Sequence, residues 1–278
     1  MSVIYLKPSS VLGETRCFFI LLIVLMLAPF APSVSAEDKA NEESSWEFQV
    51  APYVWFISME GDVTVKGQKG DVDASFSDIW DELNIGGMVA FEGRKGNWGF
   101  YGDAIYAHLG KDKDRQGIRI DPSMNALWFT AGGFYRLGTW DFSDTPKKTA
   151  TGVTVDIFAG GRYTYLDITL EIEDFSNRKG DKSWVDPLVG ARTLWDFSER
   201  WALSLVGDVG GFGVGSDFAW HASGLLGYRF PLFSKKNNAA FFAGYRALYQ
   251  DYSDGSGDDK FQWDVTLHGP ILGLEIEF

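Results

Sequence analysis

From Trp46 to Phe278, apolar residues alternate with small or polar ones in ten stretches of about ten residues or more, divided by segments rich in Gly, Asp, Asn, Ser and Lys. A period of two is that of a β-strand with different surroundings on its two faces. The stretches cover 46–58, 85–95, 97–109, 118–138, 152–169, 184–197, 200–212, 217–230, 238–252 and 260–278. No run of 18 apolar residues interrupts them, so this part of the chain offers no membrane-crossing helix. The connections alternate in character. Those at 94–97, 138–151, 197–200 and 231–237 are compact, whereas 59–84, 110–117, 171–183 and 253–259 are longer or more charged, with 213–216 a short exception. Compact turns at one end, polar loops at the other and an even strand count predict an all-β, closed, antiparallel up-and-down transmembrane β-barrel of about ten strands.

The two faces of a strand decide which way the barrel is turned. In 238–252 one face reads Phe241, Ala243, Tyr245, Ala247, Tyr249 and the other Phe242, Gly244, Arg246, Leu248, Gln250. In 217–230 Phe218, Trp220, Ala222, Gly224, Leu226, Tyr228 and Phe230 oppose His221, Ser223, Gly227 and Arg229. Aromatics at the ends of a face with aliphatic or small residues between them suit a lipid-facing strip with interfacial girdles. A soluble barrel would place its large apolar residues inside and its charge outside. Collecting the charged face across the strands gives Glu92, Asp103, Arg136, Asp156, Arg162, Arg192, Asp208, Arg229 and Arg246. A charge facing lipid at mid-depth costs several kcal/mol, so these nine residues are expected inside. A barrel this narrow is filled by side chains. The predicted arrangement is therefore a network of arginines and carboxylates plugging the lumen, with a lumen conducting small solutes as the alternative.

Composition adds exclusions. With 38 acidic and 25 basic residues, a net charge of −13 and no basic stripe, the chain is unsuited to a nucleic-acid backbone. One cysteine and three scattered histidines allow no internal disulfide, no cysteine zinc site and no His-rich metal centre, and no cofactor is expected. The first 36 residues are of another kind. Lys7 and Arg16 precede an apolar run over 18–28, followed by Pro29, Pro32 and the small-residue site Val34-Ser35-Ala36. That is the order of a secretory signal peptide, predicted to be cleaved after Ala36; the run falls short of the roughly 20 residues of a membrane helix. Cys17 would leave with it, and 37–45 would form a flexible polar lead into a barrel of residues 46–278.

In the last segment Leu272, Leu274, Ile276 and Phe278 alternate with Gly273, Glu275 and Glu277. On this motif, the signal segment and the strand faces, the chain resembles Gram-negative outer-membrane β-barrels, and among them the small outer-membrane-protein-A and opacity-protein types. The resemblance implies an outer-membrane location and contact with outer-membrane lipid and lipopolysaccharide. It also implies that the barrel-assembly machinery reads Leu274, Ile276 and Phe278. Those small barrels usually have eight strands, which stands as the alternative to ten. The extracellular partner is unspecified.

Three further features carry candidate chemistry. Ser75 and Asp78 fit a capping box, and Phe76, Ile79, Trp80 and Leu83 recur at helical spacing, predicting a short amphipathic helix in the first long loop. It would pack as a lid at the barrel mouth, or bind a partner or the membrane surface. Asp251, Asp254, Asp258 and Asp259 with Gly255 and Gly257 offer oxygen ligands but lack a calcium-loop spacing, and read as a solvated acidic loop. Asp112 and Asp114 alternate with Lys111, Lys113 and Arg115 as a self-neutralised loop. His221 and Ser223 share a face with Asp208 on the neighbouring strand, yet two residues along a strand is too far for relaxed activation of a nucleophile. His108 lies at a strand end and His268 beside Gly269-Pro270, an expected bulge. No hydrolase, zinc-protease or phosphate-loop motif is present. The leading expectation is a non-enzymatic structural or surface-interaction barrel, with a narrow channel second and a lipid- or peptide-modifying enzyme third.

Overall fold

The computed structural model of the chain describes residues 45–110, 123–142, 151–172, 175–231 and 238–278. The expected signal peptide, nearly all of the 37–45 lead and the 111–117 loop lie outside them. Ten described strands close into an antiparallel barrel: β1 (Glu47–Trp55), β4 (Leu83–Lys95), β5 (Trp98–Gly110), β6 (Ser123–Asp141), β7 (Gly152–Ile172), β8 (Phe175–Asp196), β9 (Trp201–Gly210), β10 (Phe218–Pro231), β11 (Asn238–Asp254) and β12 (Phe261–Glu277). Each pairs with the next, and β1 closes the ring on β12. Both chain ends of the barrel therefore fall at one rim, the terminal end, and the opposite rim is the loop end.

The faces divide as the alternation predicts. On β11, Phe241 and Tyr245 are 57% and 50% exposed on the outside, whereas Leu248 and Gln250, of opposite parity, are each 1% exposed. Every second residue of a strand points inward, so one parity shift would turn the barrel inside out.

The loop expected over 59–84 is instead structured. Strands β2 (Ser58–Val65) and β3 (Gln68–Ala74) form a hairpin, and the helix α1 (Phe76–Glu82) leads into β4. β12 explains how β2 is held: residues 271–277 of its free edge pair with β1, and residues 262–268 of the same edge pair with β2. β1 and β2 thus follow one path, broken only at Phe56 and Ile57. The break needs Gly269, whose φ is +155° and whose added Cβ would lie 1.9 Å from the Phe56 carbonyl oxygen. On the other edge β12 stays in register with β11 through Gly269 and Pro270. Lys66 and Gly67, both at positive φ, make the two-residue turn of the hairpin.

At the start of α1 the backbone N–H of Ser75 donates to the Asp78 carboxylate at 3.0 Å. The Phe76 ring meets Phe56 edge-on at 4.8 Å, and Ile79 packs on the interior. The segment expected as a 171–183 loop is also mostly strand, for β7 and β8 run 21 and 22 residues. β9 has only 10. The wall is consequently much taller on one side than on the other.

A second apolar population fills the loop-end half of the interior. Trp55, Ile57 and Met59 meet Ile105, Trp128, Leu166, Leu248, Trp263, Val265 and Leu267 there. These residues share the inward parity with the charged residues lower in the barrel. Alternation alone separates inside from outside and does not distinguish an apolar lumen from a polar one.

Candidate functional site: the filled lumen

Where β6, β7 and β8 lie side by side, Arg136, Asp156 and Arg192 are directly opposite one another. Arg136 Nε donates to Asp156 Oδ1 at 2.9 Å, and Arg192 Nη2 to Asp156 Oδ2 at 2.6 Å. Arg192 then reaches across the barrel to Glu92 of β4, with Nη2 3.2 Å from Oε1, and lies over the Phe134 ring at 5.0 Å. The lumen is bridged wall to wall by alternating charges.

Further from the terminal end, Arg162, 1% exposed, holds Asp208 through both carboxylate oxygens at 2.9 and 3.0 Å. Its Nε donates to Thr130 Oγ1 at 3.2 Å. In the same region Arg246 Nη2 donates to Asp103 Oδ1 at 3.0 Å, and the Tyr53 hydroxyl donates to Asp103 Oδ2 at 2.7 Å. Arg246 stands over the Trp55 ring at 4.9 Å, where the ionic part of the filling gives way to the apolar one.

One more buried carboxylate sits at that boundary. Asp186 is fully buried and accepts from Ser216 N at 2.6 Å, Ser216 Oγ at 2.9 Å, Gln250 Nε2 at 2.9 Å and Trp184 Nε1 at 3.2 Å. Gln250 in turn accepts from Trp128 Nε1 at 2.9 Å. Above it the Trp184 and Tyr252 rings stack at 4.1 Å with planes 4° apart.

Of the nine residues selected from the sequence, eight fall into three groups: Glu92 with Arg136, Asp156 and Arg192; Arg162 with Asp208; Arg246 with Asp103. Arg229 stands apart, paired with Asp196 at 2.6 Å near the terminal rim. Sequence reading did not select Tyr53, Asp186 or Asp196, and it placed Gln250 on the Arg246 face without giving it a role. Their inward parity was available, but a Tyr or a Gln shows no charge partner in the sequence. His221 Nδ1 lies 3.0 Å from Asp208 Oδ2, and Ser223 is not its partner.

The other candidates are placed as follows. Asp254 pairs with Lys182 at 2.6 Å, and the lysine's hydrogen bond holds the Asp254 carboxyl below its ordinary range. Asp258 and Asp259 lie in a short 3-10 turn over Gly257–Asp259. Among the described residues no three His, Cys, Asp or Glu side chains are grouped to hold a metal ion. His268 Nε2 lies 3.3 Å from Glu60 of β2. Leu274 and Ile276 share the outward face of β12 with Leu272, and Phe278 exchanges backbone hydrogen bonds with Phe48 at 3.0 and 3.1 Å.

The outside completes the picture. Val89, Phe91, Phe100, Ile157, Val189, Leu205, Leu226, Phe241 and Leu272 all point outward and are exposed, and Trp46, Trp98, Trp140, Trp201 and Phe278 ring the terminal end. Such a surface in water would be an aggregation hazard; against acyl chains it is the stable arrangement. Leu226→Arg is accordingly expected to lower the unfolding free energy in lipid vesicles by about 2–4 kcal/mol. Urea titration would check this against Leu226→Ala, which introduces no charge.

Apolar outside, ion-paired inside and closed on itself, the molecule is a transmembrane β-barrel. No protein-family model matches the chain, and no curated protein matches it. Among solved structures it is similar to Ail, the attachment invasion locus protein of Yersinia pestis, at 11% identity and a TM-score of 0.34 over 84% of this chain and 99% of that one. It is similar to Neisserial surface protein A at 10% identity and a TM-score of 0.31, over 84% and 97%. A Pseudomonas aeruginosa FadL homologue follows at 8% identity and a TM-score of 0.29, over 84% and 90%.

Proposed function

We propose that this chain is an integral outer-membrane protein of a Gram-negative bacterium, closed to solutes and non-enzymatic. Its work is structural or adhesive and is carried by the loop-end surface. The observation supporting closure is the bridge Arg136–Asp156–Arg192–Glu92 lying beneath an apolar filling. A hydrated solute would have to separate the partly buried pairs of the bridge and the buried pair Arg162–Asp208, at several kcal/mol for each buried charge left alone, and then displace packed aromatic rings. Each ~1.4 kcal/mol of that cost slows passage about tenfold, and the costs accumulate over the successive pairs and rings. Outer-membrane lipid and lipopolysaccharide would surround the belt, and the outward Leu274, Ile276 and Phe278 would serve as the signal to the assembly machinery.

Planar-bilayer recording of the purified protein tests the reading. Silence is the expected result. Stable unitary steps that change in Arg192→Ala or Arg162→Ala would replace the plug with a narrow channel. A comparison of lipid A masses with and without the protein tests the enzymatic alternative, and a difference lost in His221→Ala would establish it.

A further inference from the structure

The hairpin of β9 and β10 ends in Gly211-Phe-Gly-Val-Gly-Ser-Asp217. Phe212 is 56% exposed, and Val214 at 75% is the most exposed large apolar side chain among the described residues. Gly211, Phe212 and Gly213 all have positive φ, at +86°, +52° and +71°. The left-handed region is unfavourable for a bulky residue such as Phe, and the loop is nevertheless fastened in that shape. Gly211 N donates to the Pro187 carbonyl at 3.1 Å, Val214 N to Gly211 at 3.0 Å and Gly213 N to Ser216 at 3.0 Å. Ser216 is tied twice to the buried Asp186. A Cβ on Gly215 would lie 2.5 Å from the Val185 carbonyl oxygen, so the loop is pressed against β8. A rigid turn that presents two apolar side chains outward has no stabilising role in water.

Its height in the wall shows what covers it. β9 has 10 residues, the length of strand that just crosses a bilayer. At about 3.3 Å per residue and a tilt near 45°, it rises roughly 23 Å, close to the height of the apolar band of such barrels. Its neighbour β8 is 22 residues long and β11 is 17, and both continue past that level. Directly below the loop the outward Phe218 and Trp220 each lie 6.4 Å from Tyr249, forming an aromatic cluster of the kind found at a membrane interface. Val185, Val189 and Val209 extend the lipid-facing surface up to the loop without a break.

We propose that loop 211–217 is a preformed lipid anchor, with Phe212 and Val214 seated among acyl chains at the outer-leaflet interface. The inference rests on the membrane reading above and deepens it, and its test separates the two. Cys17 is the only cysteine, so Cys17→Ser gives a background for single labels. Phe212→Cys, Val214→Cys, the mid-belt Leu226→Cys and the hairpin-turn Gln68→Cys would each carry a nitroxide in phosphatidylcholine–phosphatidylglycerol vesicles. Collision rates with oxygen, which concentrates in lipid, and with a water-soluble nickel chelate report the surroundings. The expected result is that 212 and 214 favour oxygen and rank with 226, while 68 favours nickel. Labels at 212 and 214 that rank with 68 while 226 stays lipid-like would overturn the anchor alone. Nickel-accessible labels at all four positions would overturn the membrane reading and the anchor with it. The site at 214 keeps the test usable if Phe212→Cys folds poorly.

Discussion

Arg162→Ala is expected to lower the unfolding free energy of the barrel in lipid by about 3–5 kcal/mol, the range for removing one partner of a buried pair. Asp208 is 6% exposed, and this one guanidinium contacts both of its carboxylate oxygens. After truncation its carboxylate keeps His221 Nδ1 and faces a cavity the size of the lost side chain. The matched control is Arg94→Ala. Arg94 pairs with Glu47 at the terminal rim, where the glutamate side chain is 43% exposed, and an exposed pair contributes about 0–1 kcal/mol. Replacing both members, as Arg162→Met with Asp208→Leu, is expected to recover much of the loss, since the penalty lies in the orphaned charge. Urea titration in vesicles reads all three variants. Equal losses for Arg162→Ala and Arg94→Ala would show that the lumen is wet enough to solvate a lone carboxylate.

Trp263→Ala should cost a similar amount, about 3–5 kcal/mol, for a different reason. Trp263 is 1% exposed, lies on the inward face of β12, and is flanked in register by Tyr252 of β11 and Val63 of β2. Its removal leaves a void enclosed by a hydrogen-bonded wall that cannot collapse. Phe241, of nearly the same apolar character, is 57% exposed on the outside. There a mobile acyl chain occupies the vacated volume, and since lipid is as apolar as the side chain, little is lost. Phe241→Ala is therefore expected to cost well under half as much. Limited proteolysis adds a second readout, because a loosened β2–β3 hairpin would be cut earlier in Trp263→Ala than in the parent. Equal sensitivity at the two positions would mean that the loop-end interior is not a closed core.

These expectations draw on what the sequence does and does not encode. All ten barrel strands were legible, because Leu226 and Arg229, or Tyr245 and Arg246, differ in parity and a strand enforces parity. The same parity rule is what selected the nine charged residues from the sequence. The hairpin β2–β3 was hidden because Glu60, Gly61 and Asp62 read as loop residues, and only pairing along the spare edge of β12 turns them into a strand. The apolar loop-end core was hidden for another reason. Leu248 stands on the same face as Arg246, and no local pattern says whether its neighbours across the lumen are arginines or tryptophans. That is decided by which strands meet across the barrel, information that resides in the closed ring and not in any one strand. The partnership of Asp186 with Ser216 joins β8 to the next hairpin and is likewise nonlocal.

Closure through β1 and β12 also has a kinetic side. Residues 49–64 must find partners about 200 to 230 positions later in the chain, at 262–277, so the ring carries one contact of nearly maximal sequence separation. Such contacts form late and slowly. Until they form, the two edges of the sheet are long, open and able to add a foreign strand. Because β12 must receive β1 and β2 along the same edge, closing the ring joins residues 262–277 along a single seam, with Gly269 at its joint. A substitution there would act on the rate of closing, and on losses to aggregation before it, well before it could be seen in the finished barrel.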